Sequence, residues 1–456
     1  MITPLAKTAP APRYLYVRTF GCQMNEYDSQ RALRLLCAVG YRPTSDIAAA
    51  DVIFLNTCSV RDKAEQKVYS FLGRLRRLKA RRPWLKIVVA GCVAQQLGDG
   101  LLKRFEHVDL VVGTRGIGSI ASLLEEVERS KRRVAHLPAE ELQGFTTDEC
   151  RTVGTGDVVA QVTIMQGCNN FCTYCIVPHV RGRERSRAPD DILREIDFLA
   201  SRGAREVLLL GQNVNSYGRG LPDPISFPDL LRRIGNETSI RRVRFTTSHP
   251  KDLTEDLIEC FAALPFLCKH LHLPFQSGSD GILKLMHRGY TARQYLEKIA
   301  RLREVCPEIA LSADVIVGFP AESEEDYLQT LRLIEAVRFD SLFSFRYSDR
   351  PLTRAAGFSD KVATDVKVRR LAQLQSMQAD ITLQKNLAET GTVREVLVEG
   401  PSKASNGQMT GRTQQNRIIN FQCPVDLAGE IVPVRIVAAY SHSLKGELLS
   451  QPGEKS

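Results

Sequence analysis

The 456-residue sequence has no uninterrupted apolar run of the roughly 18 residues that a membrane-spanning helix needs, so no membrane association is expected. Its first thirteen residues are rich in Ala and Pro and lack the charged and apolar blocks of a secretory signal, which makes a cytoplasmic protein the expectation. There is no internal repeat and no low-complexity tract, which excludes solenoids and arrays. Twelve cysteines are too few for a disulfide scaffold in a chain of this length. In a reducing compartment they are metal ligands, nucleophiles or inert core residues. Acidic residues are the minority, 52 against 62 Lys and Arg, and the resulting charge of +10 favours an anionic partner, with nucleic acid first. A composition of 43% hydrophobic and 25% charged residues is that of a soluble globular protein, and the length suits two or three domains.

From Tyr14 onward, short runs rich in Val, Ile and Phe alternate with stretches of helical period, the texture of an α/β domain with a mostly parallel sheet. Strands are expected at 14–20, 51–56 and 86–90, with a fourth at 108–112. A helix between the second and third presents Val68, Phe71, Leu72, Leu75 and Leu78 on one face and stops at Pro83. The Thr-rich stretch 144–157 reads as a linker. A second alternation then gives six strands, starting at Val158, Glu206, Val243, His270, Ala313 and Ser341, with helices at 190–202 and 324–337 among the segments between. Six βα units predict a partial (β/α)6 barrel whose chemistry lies at the C-terminal ends of its strands. Beyond a long helix at 365–387, short alternating runs at 393–398, 417–421 and 431–437, broken by Gly, Pro and Asn, predict a small all-β barrel of a kind that often binds nucleic acid. The expected domains are 13–135, 154–381 and 382–449.

Cys168, Cys172 and Cys175 fall in one loop directly after the first strand of the central domain. Three thiolates there can hold three irons of a four-iron cluster and leave the fourth open to a ligand. A zinc knuckle is the alternative, for which His179 is the nearby fourth donor. A second trio is dispersed: Cys22, Cys58 and Cys92, 36 and 34 residues apart, are each the first cysteine after one of the three N-terminal strands. In a parallel sheet those strand ends meet at one rim, where α/β folds bind ligands. Ordinary buried cysteines are the competing reading. Cys37, Cys150, Cys260, Cys268, Cys306 and Cys423 lack metal spacing and are expected to pack, as are His270 and His272 on their strand. Basic residues cluster at 74–86 and, alternating, at Arg181, Arg183, Arg185 and Arg187. The second block is the better placed to hold substrate phosphates. From Thr382 to the end there are eight basic and seven acidic residues, so an RNA-binding role for the β module would rest on local patches and stacking.

The Cys-x3-Cys-x2-Cys loop resembles the signature of radical S-adenosylmethionine (SAM) enzymes. With Gly21-Cys22-Gln-Met-Asn-Glu-Tyr-Asp-Ser29, Asn56-Thr-Cys58-Ser-Val-Arg-Asp-Lys-Ala64 and Gly91-Cys92-Val-Ala-Gln95, nearly the whole chain resembles the methylthiotransferase family, which adds a second cluster on an N-terminal domain. The tRNA-specific branch is the best match, through Lys269-His-Leu-His-Leu-Pro-Phe-Gln-Ser-Gly-Ser-Asp280, Met286-His-Arg-Gly-Tyr-Thr291, Val398-Glu-Gly-Pro-Ser-Lys403 and Gly411-Arg-Thr-Gln-Gln-Asn-Arg417. The terminal β module resembles that family's TRAM domain.

The resemblance implies two 4Fe-4S clusters. One, on Cys168, Cys172 and Cys175, chelates SAM at its open iron; the other, on Cys22, Cys58 and Cys92, presents the sulfur. The implied reaction inserts a methylthio group at C2 of N6-isopentenyladenosine beside the tRNA anticodon, a carbon with no acidic proton that therefore needs radical chemistry. Two SAM molecules are used, one as methyl donor and one as source of the 5′-deoxyadenosyl radical. Tyr174 is expected near the SAM adenine, and Gln212, Gln276, Asp314 and Gly318 at the barrel rim as further SAM neighbours. Arg183 and Arg185 are candidate phosphate contacts, and Arg412 and Arg417 candidate contacts to the anticodon stem. Partners implied are an electron donor such as flavodoxin or ferredoxin and a donor of sulfur or cluster. Competing readings are a methylthiotransferase of threonylcarbamoyladenosine in tRNA or of a ribosomal-protein aspartate, and a zinc-containing RNA-binding protein without catalysis.

Overall fold

The computed structural model describes residues 12–59, 62–139, 157–402 and 407–449 and forms two compact units. The first comprises the N-terminal residues through Gly154 together with His179–Arg181; the second is the remainder. Most of the expected linker, and Cys150, lie outside the described residues.

The first unit is a six-stranded, all-parallel sheet built from β1 (Arg13–Thr19), β2 (Tyr41–Pro43), β3 (Val52–Thr57), β4 (Lys86–Gly91), β5 (Leu110–Val112) and β6 (Val134–His136), in the order β2-β1-β3-β4-β5-β6. Side chains alternate across it as a strand's two-residue period requires. Ile53, Leu55, Ile87 and Val89 face one core, onto which Val68, Phe71, Leu72 and Leu75 of helix α2 (Asp62–Arg81) pack. Val52, Phe54, Val88 and Ala90 face the other, against Ala32 and Leu36 of helix α1 (Gln23–Ala38). Burial on both faces explains why β3 and β4 read as continuous apolar runs. The three-residue edge strands β2 and β6 were not expected, being too short to show a period.

The second unit contains the six expected parallel strands: β7 (Val159–Thr163), β10 (Glu206–Leu210), β11 (Arg242–Phe245), β12 (His270–His272), β13 (Ala310–Val317) and β14 (Ser341–Arg346). They form two sheets, β11-β10-β7 and β12-β13-β14, linked by a single bridge between Val243 and Leu267. The helix Glu324–Val337 starts where its capping box dictates: the Ser323 hydroxyl accepts from the Asp326 N–H and the Asp326 carboxylate accepts from the Ser323 N–H. An additional hairpin, β8 (Met165–Gln166) with β9 (Arg185–Ser186), closes the base of the cysteine loop.

The C-terminal strands β15 (Val393–Pro401), β16 (Gln408–Arg412), β17 (Ile418–Gln422), β18 (Ile431–Ala439) and β19 (Leu444–Leu448) close into a barrel in the order β15-β16-β17-β19-β18 around Val396, Ile419, Phe421, Val434 and Ile436. This barrel belongs to the second unit. Buried arginines tie it to the larger one: Arg242 donates to the Arg412 carbonyl at 3.0 Å, and Arg244 to the carbonyls of Thr413 and Gln414 at 3.2 and 3.1 Å. Among the described residues, no helix is long and apolar enough to cross a membrane.

Candidate functional sites at two strand rims

In the first unit, β1, β3 and β4 are adjacent, and the dispersed cysteines follow their C-terminal ends: Cys22 at the start of α1, Cys58 directly after Thr57, Cys92 opening helix α3 (Cys92–Leu97). Gly21 has φ +123°, and a Cβ there would overlap Cys58, so only glycine lets this loop pass. Asn25 fixes the loops, its amide donating to the carbonyls of Phe20 and Thr57, both at 2.9 Å. Asn56 donates to the Asn25 carbonyl at 2.8 Å.

Hydrogen bonding with Cys58, aided by the Arg181 charge, lowers the Cys22 thiol to about 6. Burial pushes the Cys92 thiol up, against the same Arg181 charge. Arg181 itself is withdrawn from solvent, its Nη2 bonded to Asn25 Oδ1 and Asp28 Oδ2, both at 2.8 Å. The alternating basic block is therefore not one phosphate-binding surface: Arg181 is buried in the first unit, and Arg187 pairs with Glu195 at 2.7 Å.

In the second unit the Cys168 loop is held from all sides. The Cys168 N–H donates to the Gly182 carbonyl at 3.1 Å, and Gly167 donates to Gln212 Oε1 at 2.5 Å. Thr173 bonds the carbonyls of Met286 and Leu285 at 3.1 and 2.8 Å. Burial pushes Cys175 up to about 12 and Cys168 upward as well. Arg288, from the Met286–Thr291 motif, is buried beneath the loop: Nη1 reaches Cys172 Sγ at 3.5 Å and the Tyr174 hydroxyl at 3.4 Å, and Nη2 donates to the Pro274 carbonyl at 2.7 Å. Sequence reasoning quoted the motif but gave Arg288 no role.

The other expected site residues differ in what they do. Tyr174 packs against the cluster of Met286, Phe319 and Tyr347. Gln212 anchors Gly167 through its side chain. Gln276, buried at φ +67°, donates its N–H to the Asp314 carbonyl at 2.9 Å. Asp314 lies within β13 rather than at its end, its carboxylate 3.7 Å from His272 Nε2. Gly318, at φ +70°, donates its N–H to Glu322 Oε1 at 2.9 Å. His270 and His272 share the Ser312 hydroxyl at 3.0 and 2.9 Å.

Of the arginines, Arg183 lies over the exposed Phe171 ring and Arg185 is exposed. Arg412 pairs with Glu399 at 2.8 Å and stays about one-third exposed. Arg417 is a correction to the sequence reading: its side chain is 12% exposed, donates to Asp340 at 2.8 Å and Asn386 at 2.6 Å, and is ion-paired with Glu389 at 3.2 Å. It braces the fold instead of offering a guanidinium to RNA.

The donor chemistry of each trio, three thiols without a fourth protein ligand among them, suits an iron–sulfur cluster with one open iron. Each supplies three thiols, of which Cys58, Cys92 and Cys172 are buried, with an arginine charge bearing on each trio. Among the described residues no three Cys, His, Asp or Glu side chains close around a single metal ion.

Comparison with known proteins defines the class first. Residues 162–334 match the Radical SAM superfamily, residues 14–113 match a family described as Uncharacterized protein family UPF0004, and residues 387–449 match the TRAM domain. The fold is similar to that of the radical S-adenosylmethionine methyltransferase TsrM from Kitasatospora setae with cobalamin and a [4Fe-4S] cluster bound (TM-score 0.55, 14% identity, 76% of this chain and 77% of that one). A tRNA-2-methylthio-N(6)-dimethylallyladenosine synthase of Syntrophobacter fumaroxidans is 96% identical over the full length of both chains. Synthases of the same name from Syntrophus aciditrophicus (96% of this chain, 95% of that one) and Clostridium botulinum (95% and 96%) are 50% and 46% identical. The chain belongs to the tRNA-2-methylthio-N(6)-dimethylallyladenosine synthase family.

Proposed function

We propose that this protein is a radical-SAM tRNA methylthiotransferase that converts N6-isopentenyladenosine next to the anticodon into its 2-methylthio derivative, using two SAM molecules. The observation that carries the reading is the grouping of six cysteines into two trios at the C-terminal rims of two parallel sheets, in a chain 96% identical to a curated synthase of that name. Cys168, Cys172 and Cys175 would hold the SAM-binding 4Fe-4S cluster, and Cys22, Cys58 and Cys92 the second. When bound, the first supplies the electron that cleaves the SAM sulfonium and the second the sulfur for transfer.

The protein's own groups fix and tune these sites. Gln212 and Thr173 hold the cysteine loop, and Arg288 donates to Cys172. Tyr174, Gln276 and Gly318 are the proposed SAM neighbours at the rim, with Asp314 contributing from within β13. Arg183 and Arg185 are the proposed phosphate contacts, with Arg412 a partial one because Glu399 already holds it. An electron donor of the flavodoxin or ferredoxin class and a sulfur or cluster donor complete the system, which we place in the cytoplasm.

The test is anaerobic reconstitution with iron and sulfide, then incubation with dithionite, SAM and an anticodon stem-loop carrying isopentenyladenosine, read by mass spectrometry of the nucleosides. A methylthio mass gain on that base is expected. Cleavage of SAM to 5′-deoxyadenosine with the base unchanged would mean another substrate branch.

A further inference from the structure

The basic block at 74–86, which the proposed reaction leaves unused, divides in two in the structure. Lys79, Arg82 and Lys86 are partly buried and answered by carboxylates: Lys79 bonds both oxygens of Asp109 at 2.8 Å, Lys86 lies 3.9 Å from Asp109, and Arg82 lies 3.7 Å from Asp51. Arg74, Arg76, Arg77 and Arg81 are exposed, and among the described residues none of the four pairs with a carboxylate. The spacing i, i+3, i+7 puts Arg74, Arg77 and Arg81 on one stripe of helix α2, about 10 Å long at about 1.5 Å per residue and turned away from the face that buries Val68, Phe71, Leu72 and Leu75. Just past the helix end, Trp84 is the only tryptophan of the chain and is 62% exposed. The Leu85 N–H donates to the Arg82 carbonyl at 3.0 Å, closing the turn that carries the indole, and the Arg82 guanidinium lies 5.7 Å from the ring centre. Beside Trp84 opens a cavity of about 810 Å³, lined in part by Arg13, Lys86 and Lys131.

We propose that the Arg74/Arg77/Arg81 stripe and Trp84 form an RNA-binding surface remote from the cysteine rim, which takes phosphates and one unpaired base of the substrate tRNA outside its anticodon stem-loop. This rests on tRNA being the substrate. Guanidinium forks match phosphate oxygens, and an exposed indole face stacks on any unpaired base, whereas an acidic protein surface would use the charge but not the ring. The reacting base is not the occupant. Lys86 opens β4 and Cys92 follows its last residue, so the surface and the Cys22/Cys58/Cys92 rim lie at opposite ends of a six-residue strand, about 20 Å apart at about 3.3 Å per residue.

Because Trp84 is the only tryptophan, its emission lifetime in the full, iron-loaded chain reports this surface directly. The probes are a full-length tRNA carrying isopentenyladenosine, the anticodon stem-loop of that tRNA, and polyglutamate. Full-length tRNA is expected to shorten the lifetime and to bind more tightly than the stem-loop, which should leave the lifetime unchanged. Arg74→Gln, Arg77→Gln and Arg81→Gln combined are expected to weaken full-length tRNA at least about 10-fold and to lower the slope of log affinity against log salt by about 2–3. Trp84→Ala is expected to weaken it about 10-fold without changing that slope, and Trp84→Phe to recover most of the loss. Stem-loop affinity should not change in any of these variants. A lifetime that full-length tRNA does not move, or variants that bind it as tightly as the parent, overturn the proposal. Polyglutamate shortening the lifetime as strongly as tRNA would assign the surface to an acidic protein and overturn it too. Quenching by full-length tRNA with the isopentenyladenosine left unmodified would overturn the catalytic reading and leave this one standing.

Discussion

The Arg288 guanidinium lies under the Cys168 loop with Nη1 3.5 Å from Cys172 Sγ, a buried cation placed against one thiol of the Cys168/Cys172/Cys175 trio. Hydrogen bonds to ligating sulfur raise a cluster's potential and orient the ligand. Arg288→Gln is expected to lower the cluster's midpoint potential, so that dithionite reduces a smaller fraction of it and SAM cleavage slows roughly 10-fold. Because the variant also releases the Pro274 carbonyl, the potential, measured by redox titration of fully iron-loaded protein, is the readout that separates tuning from folding. An unchanged potential would reduce Arg288 to a structural brace.

The two trios are expected to separate by function. Replacing Cys168, Cys172 and Cys175 with Ala should abolish formation of 5′-deoxyadenosine. Replacing Cys22, Cys58 and Cys92 should spare SAM cleavage but stop sulfur insertion. Both are read by chromatography of the SAM products alongside mass spectrometry of the tRNA nucleosides. Methylthiolation by the second triple variant would sink the two-cluster assignment.

Arg417 and Arg185 should behave oppositely, although the sequence offered both as tRNA contacts, Arg185 to phosphate and Arg417 to the anticodon stem. Breaking the buried Arg417 network with Asp340 and Glu389 is expected to cost about 3 kcal/mol, seen as a lower melting temperature. Arg185→Ala should leave the melting temperature nearly unchanged, weaken tRNA binding and reduce its salt dependence by about one counter-ion. A shared phenotype in both assays would contradict the assignment of roles.

Burial, with Arg288, Lys251 and Lys298 nearby, lowers His249 to about 2, so it stays neutral in the fold. In the unfolded chain it titrates near pH 6.5, about its ordinary value. The depressed value therefore gives stability that is present above about pH 6.5 and is lost as pH falls toward the folded value. Denaturant titrations of His249→Gln and the parent at pH 7 and pH 5 should differ, the parent losing roughly 1–2 kcal/mol more on acidification. Parallel pH profiles would refute this.

Much of the architecture was legible because local rules agreed. β3 and β4 read as apolar runs because both faces are covered, and the helix Glu324–Val337 was bounded by its cap and its apolar period. The edge strands β2 and β6 were too short for periodicity, and the β8–β9 hairpin pairs two residues on each side, less than any pattern can register. Gly411–Arg417 is polar in sequence, yet carbonyls of Arg412, Thr413 and Gln414 accept from Arg242 and Arg244, contacts about 170 residues apart in sequence.

The six cysteines and their placement after strands came from the sequence alone, since strand periodicity and topology together force the ends of adjacent parallel strands to one rim. The fate of each arginine was decided only by the tertiary structure. Arg181, Arg288 and Arg417 look like surface cations in sequence because a guanidinium has the same chemistry everywhere. Their burial against Asp28, Cys172 and Asp340 depends on chain segments that folding brings together from 153, 116 and 77 residues away.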